Sequence, residues 1–238
     1  MVNIKKSRLN DFVRAKKKIL FYCRTYFTDK LNNEDLKNVY EQIIGQKSVG
    51  IDIRSNRDYL SGHIPSTMNA PYHNLGWGKI LKSWLNSTES AIILIGKDHE
   101  TAIKAKEDLE TVNLNVSTTL SDNLKGWIQA GLPVSSVLEI SPFELYEHMP
   151  EWTVIDVREP WEWQLGTIKD SIKIPLNDLP KRISMLNKTK KYAIVCAHGN
   201  RSEVAAIFLA DNFLKAATMV GGMEKWEQES LPVEYETD

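Results

Sequence analysis

The chain has 238 residues, 42% hydrophobic and 26% charged, a composition suited to a globular protein with two domains of ordinary size. A net charge of −1 and a pI near 6.5 give no general attraction to nucleic acid or an anionic membrane. No run approaches ~18 uninterrupted apolar residues, the N-terminal lysines precede no apolar signal stretch, and Cys23 and Cys196 form no disulfide framework, so a reducing, cytoplasmic setting is expected.

Residues 1–30 carry Lys5, Lys6, Arg8, Arg14, Lys16, Lys17 and Lys18 among Phe12, Ile19, Leu20 and Phe27. This pattern predicts a basic helical extension docked on the first domain, since the aromatics lack a nucleic-acid stacking pattern. Cys23, between Tyr22 and Arg24 with no glycine loop after it, is expected to be inert.

Beyond this extension the chain repeats itself. Residues 49–71 read VGIDIRSNRDYLSGHIPSTMNAP and residues 153–175 read TVIDVREPWEWQLGTIKDSIKIP. Asp52 falls opposite Asp156, Arg54 opposite Arg158, Gly62 opposite Gly166, Ile64 opposite Ile168 and Pro71 opposite Pro175, at a constant spacing of 104. Trp127 with Leu132-Pro133-Val134 returns as Trp226 with Leu231-Pro232-Val233, at a spacing of 99. Ala102, Ala105 and Leu109 fall opposite Ser202, Ala205 and Leu209. The expected organisation is therefore a 1–30 extension, a first unit over 31–135 and a second over 136–238.

Each unit alternates strand-like and helix-like runs. In the second, Ser141 reads as an N-cap with Pro142 at N1 and Glu144 closing a capping box. Thr153–Val157, Ile172–Ile174, Tyr192–Cys196 and Thr218–Val220 read as strands, and Ser202–Phe213 as a helix with Val204, Ala205, Phe208 and Leu209 on its apolar stripe. The expected fold class is α/β, with each unit a parallel sheet flanked by helices.

Residues 192–205, YAIVCAHGNRSEVA, carry the chemistry. An apolar strand ends in Cys196, the loop Ala197-His198-Gly199-Asn200-Arg201 comes next, and a helix is expected to begin near Ser202. A strand end turning into a helix start aims backbone N–H groups inward, Gly199 permits the tight turn, and the helix dipole and Arg201 add positive charge. Such surroundings lower a cysteine pKa and favour the thiolate.

The loop Cys196-Ala197-His198-Gly199-Asn200-Arg201-Ser202 resembles the active-site loop of the rhodanese sulfurtransferases, C-x-x-G-x-R/S-[ST]. Asp52-Ile53-Arg54, Asp156-Val157-Arg158, Gly62-His63-Ile64-Pro65 and Gly221-Gly222-Met223 with Trp226 are similar to further elements of that family, so the resemblance runs from about residue 35 to 238. It implies two tandem rhodanese-like domains, the first without a catalytic cysteine. The implied reaction is sulfur transfer through a persulfide on Cys196, from thiosulfate or a low-molecular-weight persulfide to cyanide or a thiol, a protein thiol included. On this reading the 197–201 amides hold the persulfide, Arg201 docks an anionic donor, and Ser202 caps the helix or closes the loop. Asp156 and Arg158 form a structural ion pair, and His198 is a rim or surface group. Trp161 and Trp163 are candidates to line an acceptor site.

In the first unit the corresponding loop is Ile95-Gly96-Lys97-Asp98-His99-Glu100-Thr101, with Gly96 opposite the cysteine and acids where an anion would sit. The second unit departs from the family where Gly166-Thr167-Ile168-Lys169 stands for G-H-I-P. Two other readings stay open: a phosphatase or arsenate reductase of the same fold, which resembles C-x₅-R whereas Cys196 to Arg201 is C-x₄-R, and a non-enzymatic binding or regulatory module. The scattered histidines lack metal-ligand spacing, and no phosphate or dinucleotide fingerprint is present, so no cofactor is expected.

Overall fold

The apolar runs Ala91–Ile95 and Tyr192–Val195 have the unbroken hydrophobic character of strands covered on both faces, and the computed structural model places each in an interior strand of a parallel sheet. The structure describes residues 31–74, 76–85 and 90–235; the expected extension and Cys23 lie outside these residues. Val39–Asp238 form one compact unit that contains both sheets.

Helix α1 (Asn33–Ile44) leads into β1 (Ser48–Asp52), α2 (Asn56–Ser61), β2 (Met68–Asn69), α3 (Trp77–Trp84), β3 (Ala91–Ile95), α4 (His99–Thr111), β4 (Val116–Leu120) and α5 (Lys125–Gln129). The sheet order is β2-β1-β3-β4, all parallel. The chain then repeats the scheme with β5 (Leu138–Ile140), α6 (Pro142–Glu147), β6 (Trp152–Asp156), α7 (Pro160–Trp163), β7 (Ile172–Lys173), α8 (Leu179–Arg182), β8 (Lys191–Val195), α9 (Asn200–Asp211), β9 (Lys215–Met219) and α10 (Gly222–Gln228). The second sheet is also parallel, in the order β5-β9-β8-β6-β7. The expected α/β class with parallel sheets and flanking helices is the one observed.

The repeat has a physical counterpart in hydrogen bonds. Arg54 donates to both Asp52 carboxylate oxygens and to the Gly62 carbonyl, and Arg158 does the same with Asp156 and Gly166. His63 and Ser135 exchange backbone hydrogen bonds, as do Thr167 and Glu234. Trp127 Nε1 donates to the Pro133 carbonyl and Trp226 Nε1 to that of Pro232, so each buried indole has its one polar atom satisfied.

Side chains alternate across β8. Ala193 and Val195 enter a core with Val154, Met219, Met223 and Trp226, whereas Tyr192, Ile194 and Cys196 face the other way, toward Ile155, Ala205 and Leu209. That second core also takes in Tyr59 and Leu60 of α2, so residues from the first half of the chain complete the core beneath Cys196. The first sheet has its own core of Ile51, Leu94, Ala105 and Leu109 with Trp77 and Leu81.

Several boundaries move from their expected places. Helix α9 begins at Asn200, not near Ser202, because Gly199 adopts a left-handed φ of 104° and becomes the N-cap; it ends at Asp211. The strand expected over Thr218–Val220 runs from Lys215 to Met219, held from its first residue by pairing with β8. Ser141 does cap α6, accepting the Glu144 N–H at 3.2 Å.

Candidate active site

Cys196 comes directly after β8 and is 1% exposed. Pairing with β6 sets its height: Val195 lies beside Asp156, as Ile95 lies beside Asp52 in the first sheet, so Gly96 and Cys196 stand at the same point of the two folds. The chain then turns through Gly199, whose N–H donates to Cys196 Sγ at 3.1 Å. The thiol in turn points to Ser202 Oγ, 3.7 Å away.

Ser202 is fully buried in the first turn of α9. It is not the N-cap, that place being taken by Gly199; it closes the loop by donating to the Gly199 carbonyl at 2.8 Å. Its hydroxyl also lies 2.9 Å from the buried Thr218 hydroxyl on β9, a partner that the loop motif does not indicate.

A second glycine turn braces the loop from below. The Met223 and Glu224 N–H groups donate to the Cys196 and Ala197 carbonyls. A side chain at Gly222 (φ 63°) would meet those carbonyl oxygens at 2.4 and 2.5 Å, so this approach requires glycine.

Arg201 is held in a bidentate pair with Glu162 of α7, at 2.6 and 2.8 Å. Glu162 is nearly buried, and the guanidinium beside it holds its carboxyl below the usual glutamate range; the pair also raises the Arg201 pKa. The loop sequence contains no acid before Glu203, so this carboxylate, 39 positions upstream, is not foreseen from the motif. The signal available is a lone Glu between Trp161 and Trp163 in a short helix after the Asp-x-Arg element. Trp161 is 65% exposed. Trp163 is half-buried, with the Lys173 ammonium 5.8 Å from its ring centre.

His198 is 70% exposed and lies 3.6 Å from Glu224, outside the set of groups bonded to the thiol. Asn200 opens α9, and Ala197 links the cysteine to the turn. Asp156 and Arg158 lie buried at the end of the neighbouring strand. Among the described residues no three His, Cys, Asp or Glu side chains are grouped to hold a metal ion, and no helix is long and apolar enough to cross a membrane.

The family model for the rhodanese-like domain matches residues 141–229, which run from the start of α6 past α10 and include the whole Cys196 loop. YtwF of Bacillus subtilis (strain 168), whose name includes the word sulfurtransferase, is 34% identical over 99 residues, covering 40% of this chain and 96% of that protein. The chain belongs to the rhodanese-like family. The thiosulfate sulfurtransferase GlpE of Pseudomonas paraeruginosa is 32% identical over 74 residues, 31% of this chain and 67% of that protein. A solved rhodanese-related protein from Thermoplasma volcanium is 42% identical, covering 42% of this chain and 99% of that one, with a TM-score of 0.41.

Proposed function

We propose that this rhodanese-like protein is a cytoplasmic sulfurtransferase that carries sulfane sulfur as a persulfide on Cys196. The observation that carries this reading is the Gly199 N–H aimed at Cys196 Sγ from 3.1 Å, at the point where a strand turns into the N-terminus of a twelve-residue helix. An N–H donor and a helix dipole so placed stabilise charge on sulfur before and after it gains a second sulfur atom.

In the proposed reaction the Cys196 thiolate attacks the outer sulfur of thiosulfate or of a persulfide. A new S–S bond forms as the donor's own breaks, and the leaving sulfite or thiolate takes the bonding pair. A thiol, free or on a protein, or cyanide in an assay, then attacks the outer sulfur of the Cys196 persulfide and releases the thiolate. There is no net redox change and no cofactor is needed. The amides of Ala197, His198, Gly199, Asn200 and Arg201 hold the terminal sulfur, Ser202 and Thr218 fix the loop, and Asp156 with Arg158 fixes the strand end. Two rhodanese-like units, 31–135 and 136–238, share the work unequally: the first, with Gly96 in place of a cysteine, is a structural partner of the second.

Intact mass after incubation with thiosulfate or a small persulfide tests this. The wild type is expected to gain one sulfur atom, which cyanide removes as thiocyanate, while Cys196→Ser gains none. The same mass gain, or none, in both proteins with every donor overturns the reading.

A further inference from the structure

We infer that Glu162 sets the donor specificity of the Cys196 site by neutralising Arg201, so that the site selects donors of low charge over the thiosulfate dianion. The inference rests on the sulfurtransferase reading and specifies its substrate class. Arg201 is the cation of the loop, and both terminal nitrogens of its guanidinium are bonded to the two Glu162 oxygens. A fork-to-fork pair of this kind leaves little of the guanidinium free to meet a second anion.

Two further acids lie near the loop, and the Lys173 ammonium stands over the Trp163 ring beside Glu162. Glu159 also acts electrostatically on Arg201, and His198, when protonated, faces Glu224 at 3.6 Å. Arg158 is buried and bonded to Asp156 and the Gly166 carbonyl. A donor arriving with two negative charges therefore meets these acids while Arg201 and Arg158 are each already paired with a carboxylate. A persulfide with one ionisable group meets the same Gly199 N–H at half the electrostatic cost. The exposed faces of Trp161 and Leu165, at 65% and 63%, flank Glu162 on either side in sequence and suit a donor with an apolar body.

The test compares kcat/KM for thiosulfate and for 2-hydroxyethyl persulfide, with cyanide as acceptor, in the wild type, Glu162→Gln and Glu162→Gln/Arg201→Gln. The wild type is expected to prefer the persulfide by more than about tenfold at low salt. Glu162→Gln, which removes the charge but retains an acceptor for Arg201, is expected to raise kcat/KM for thiosulfate by about tenfold, mainly through KM, and the gain shrinks as salt is added. The double variant loses that gain, because the released cation is its cause. Equal use of both donors by the wild type overturns the inference, and this comparison requires no variant to fold. An unchanged donor ratio in a folded Glu162→Gln protein overturns it equally. A wild type that takes sulfur from neither donor overturns the sulfurtransferase reading itself, and this inference with it.

Discussion

The two strand-to-helix loops of this chain start from the same place and serve the helix N-terminus differently. After β3, Gly96 leads to Asp98, whose carboxylate caps α4 by accepting the Thr101 N–H at 2.8 Å; that bond holds the Asp98 carboxyl below its usual range. After β8, the cap is Gly199, which has no side chain to offer, and its N–H turns to Cys196 Sγ. One loop satisfies its helix end with a built-in carboxylate, and the other aims a backbone donor at the sulfur of Cys196. A shared fold thus yields one helix end closed by its own carboxylate and one that turns a backbone donor to a cysteine sulfur, and the difference lies in which group meets the first free N–H groups of the helix.

The same contrast extends to the turn beneath each loop. Asn123 donates its N–H to the Gly96 carbonyl where Met223 serves the Cys196 carbonyl, and Asn123 keeps a side chain with a φ of 55°. Below Cys196 the corresponding turn contains Gly222, because two carbonyl oxygens occupy the space that a Cβ would need. The first loop tolerates a side chain there; the second does not.

The largest expected effect would break the comparison outright. If a thiol at the strand end were sufficient, Gly96→Cys would restore sulfur transfer to a Cys196→Ser protein. The expected result is that thiocyanate formation stays down by at least about 10³-fold, measured alongside intact mass, because Asp98 already holds its helix end. A second test treats the loops as equals. Asp52→Asn and Asp156→Asn each unpair a buried arginine with near-identical geometry, so each should cost about 3 kcal/mol in urea denaturation, while only the second also lowers activity. Gly222→Ala should cost about 2 kcal/mol by thermal or chemical unfolding, more than Gly131→Ala, where φ is also positive but no atom lies within 4 Å of the new Cβ. The smallest effect concerns pH. Because Glu162 has a lowered pKa in the folded protein, its pairing contributes stability fully above the unfolded value of about 4.3 and loses it as pH falls through the folded one. The wild type should therefore lose a margin over Glu162→Gln in denaturant midpoint between about pH 5 and pH 3.

Much of this was legible in the sequence because it is local and repeated. Asp52-x-Arg54 and Asp156-x-Arg158 lie two residues apart, and the doubled pattern foreshadows the two sheets. The Cys196 loop was legible because one short stretch contains the nucleophile, the turn glycine and the helix start. The features that escaped depend on long-range contact. Glu162 reaches Arg201 across 39 positions and Thr218 reaches Ser202 across 16, and neither spacing carries a local signature. Ser202 has the chemistry of a cap and so points to a late helix start, yet the left-handed turn at Gly199 takes that role first.

His63 shows how such distant contacts serve the whole molecule. Its fully buried ring stacks on Tyr59, donates from Nδ1 to the Tyr59 carbonyl at 2.9 Å, and meets Asp211 through Nε2 at 3.0 Å; the same carboxylate accepts the Ser66 N–H. Asp211 closes α9, the helix that opens beneath Cys196. Cutting the chain between residues 135 and 136 would leave a carboxylate at the unfavourable end of that helix and strip Tyr59 and Leu60 from the core under the cysteine. The first half of the chain is therefore not a spare copy that the half with Cys196 can shed: a gene trimmed to residues 136–238 is expected to encode a less stable protein than the intact pair.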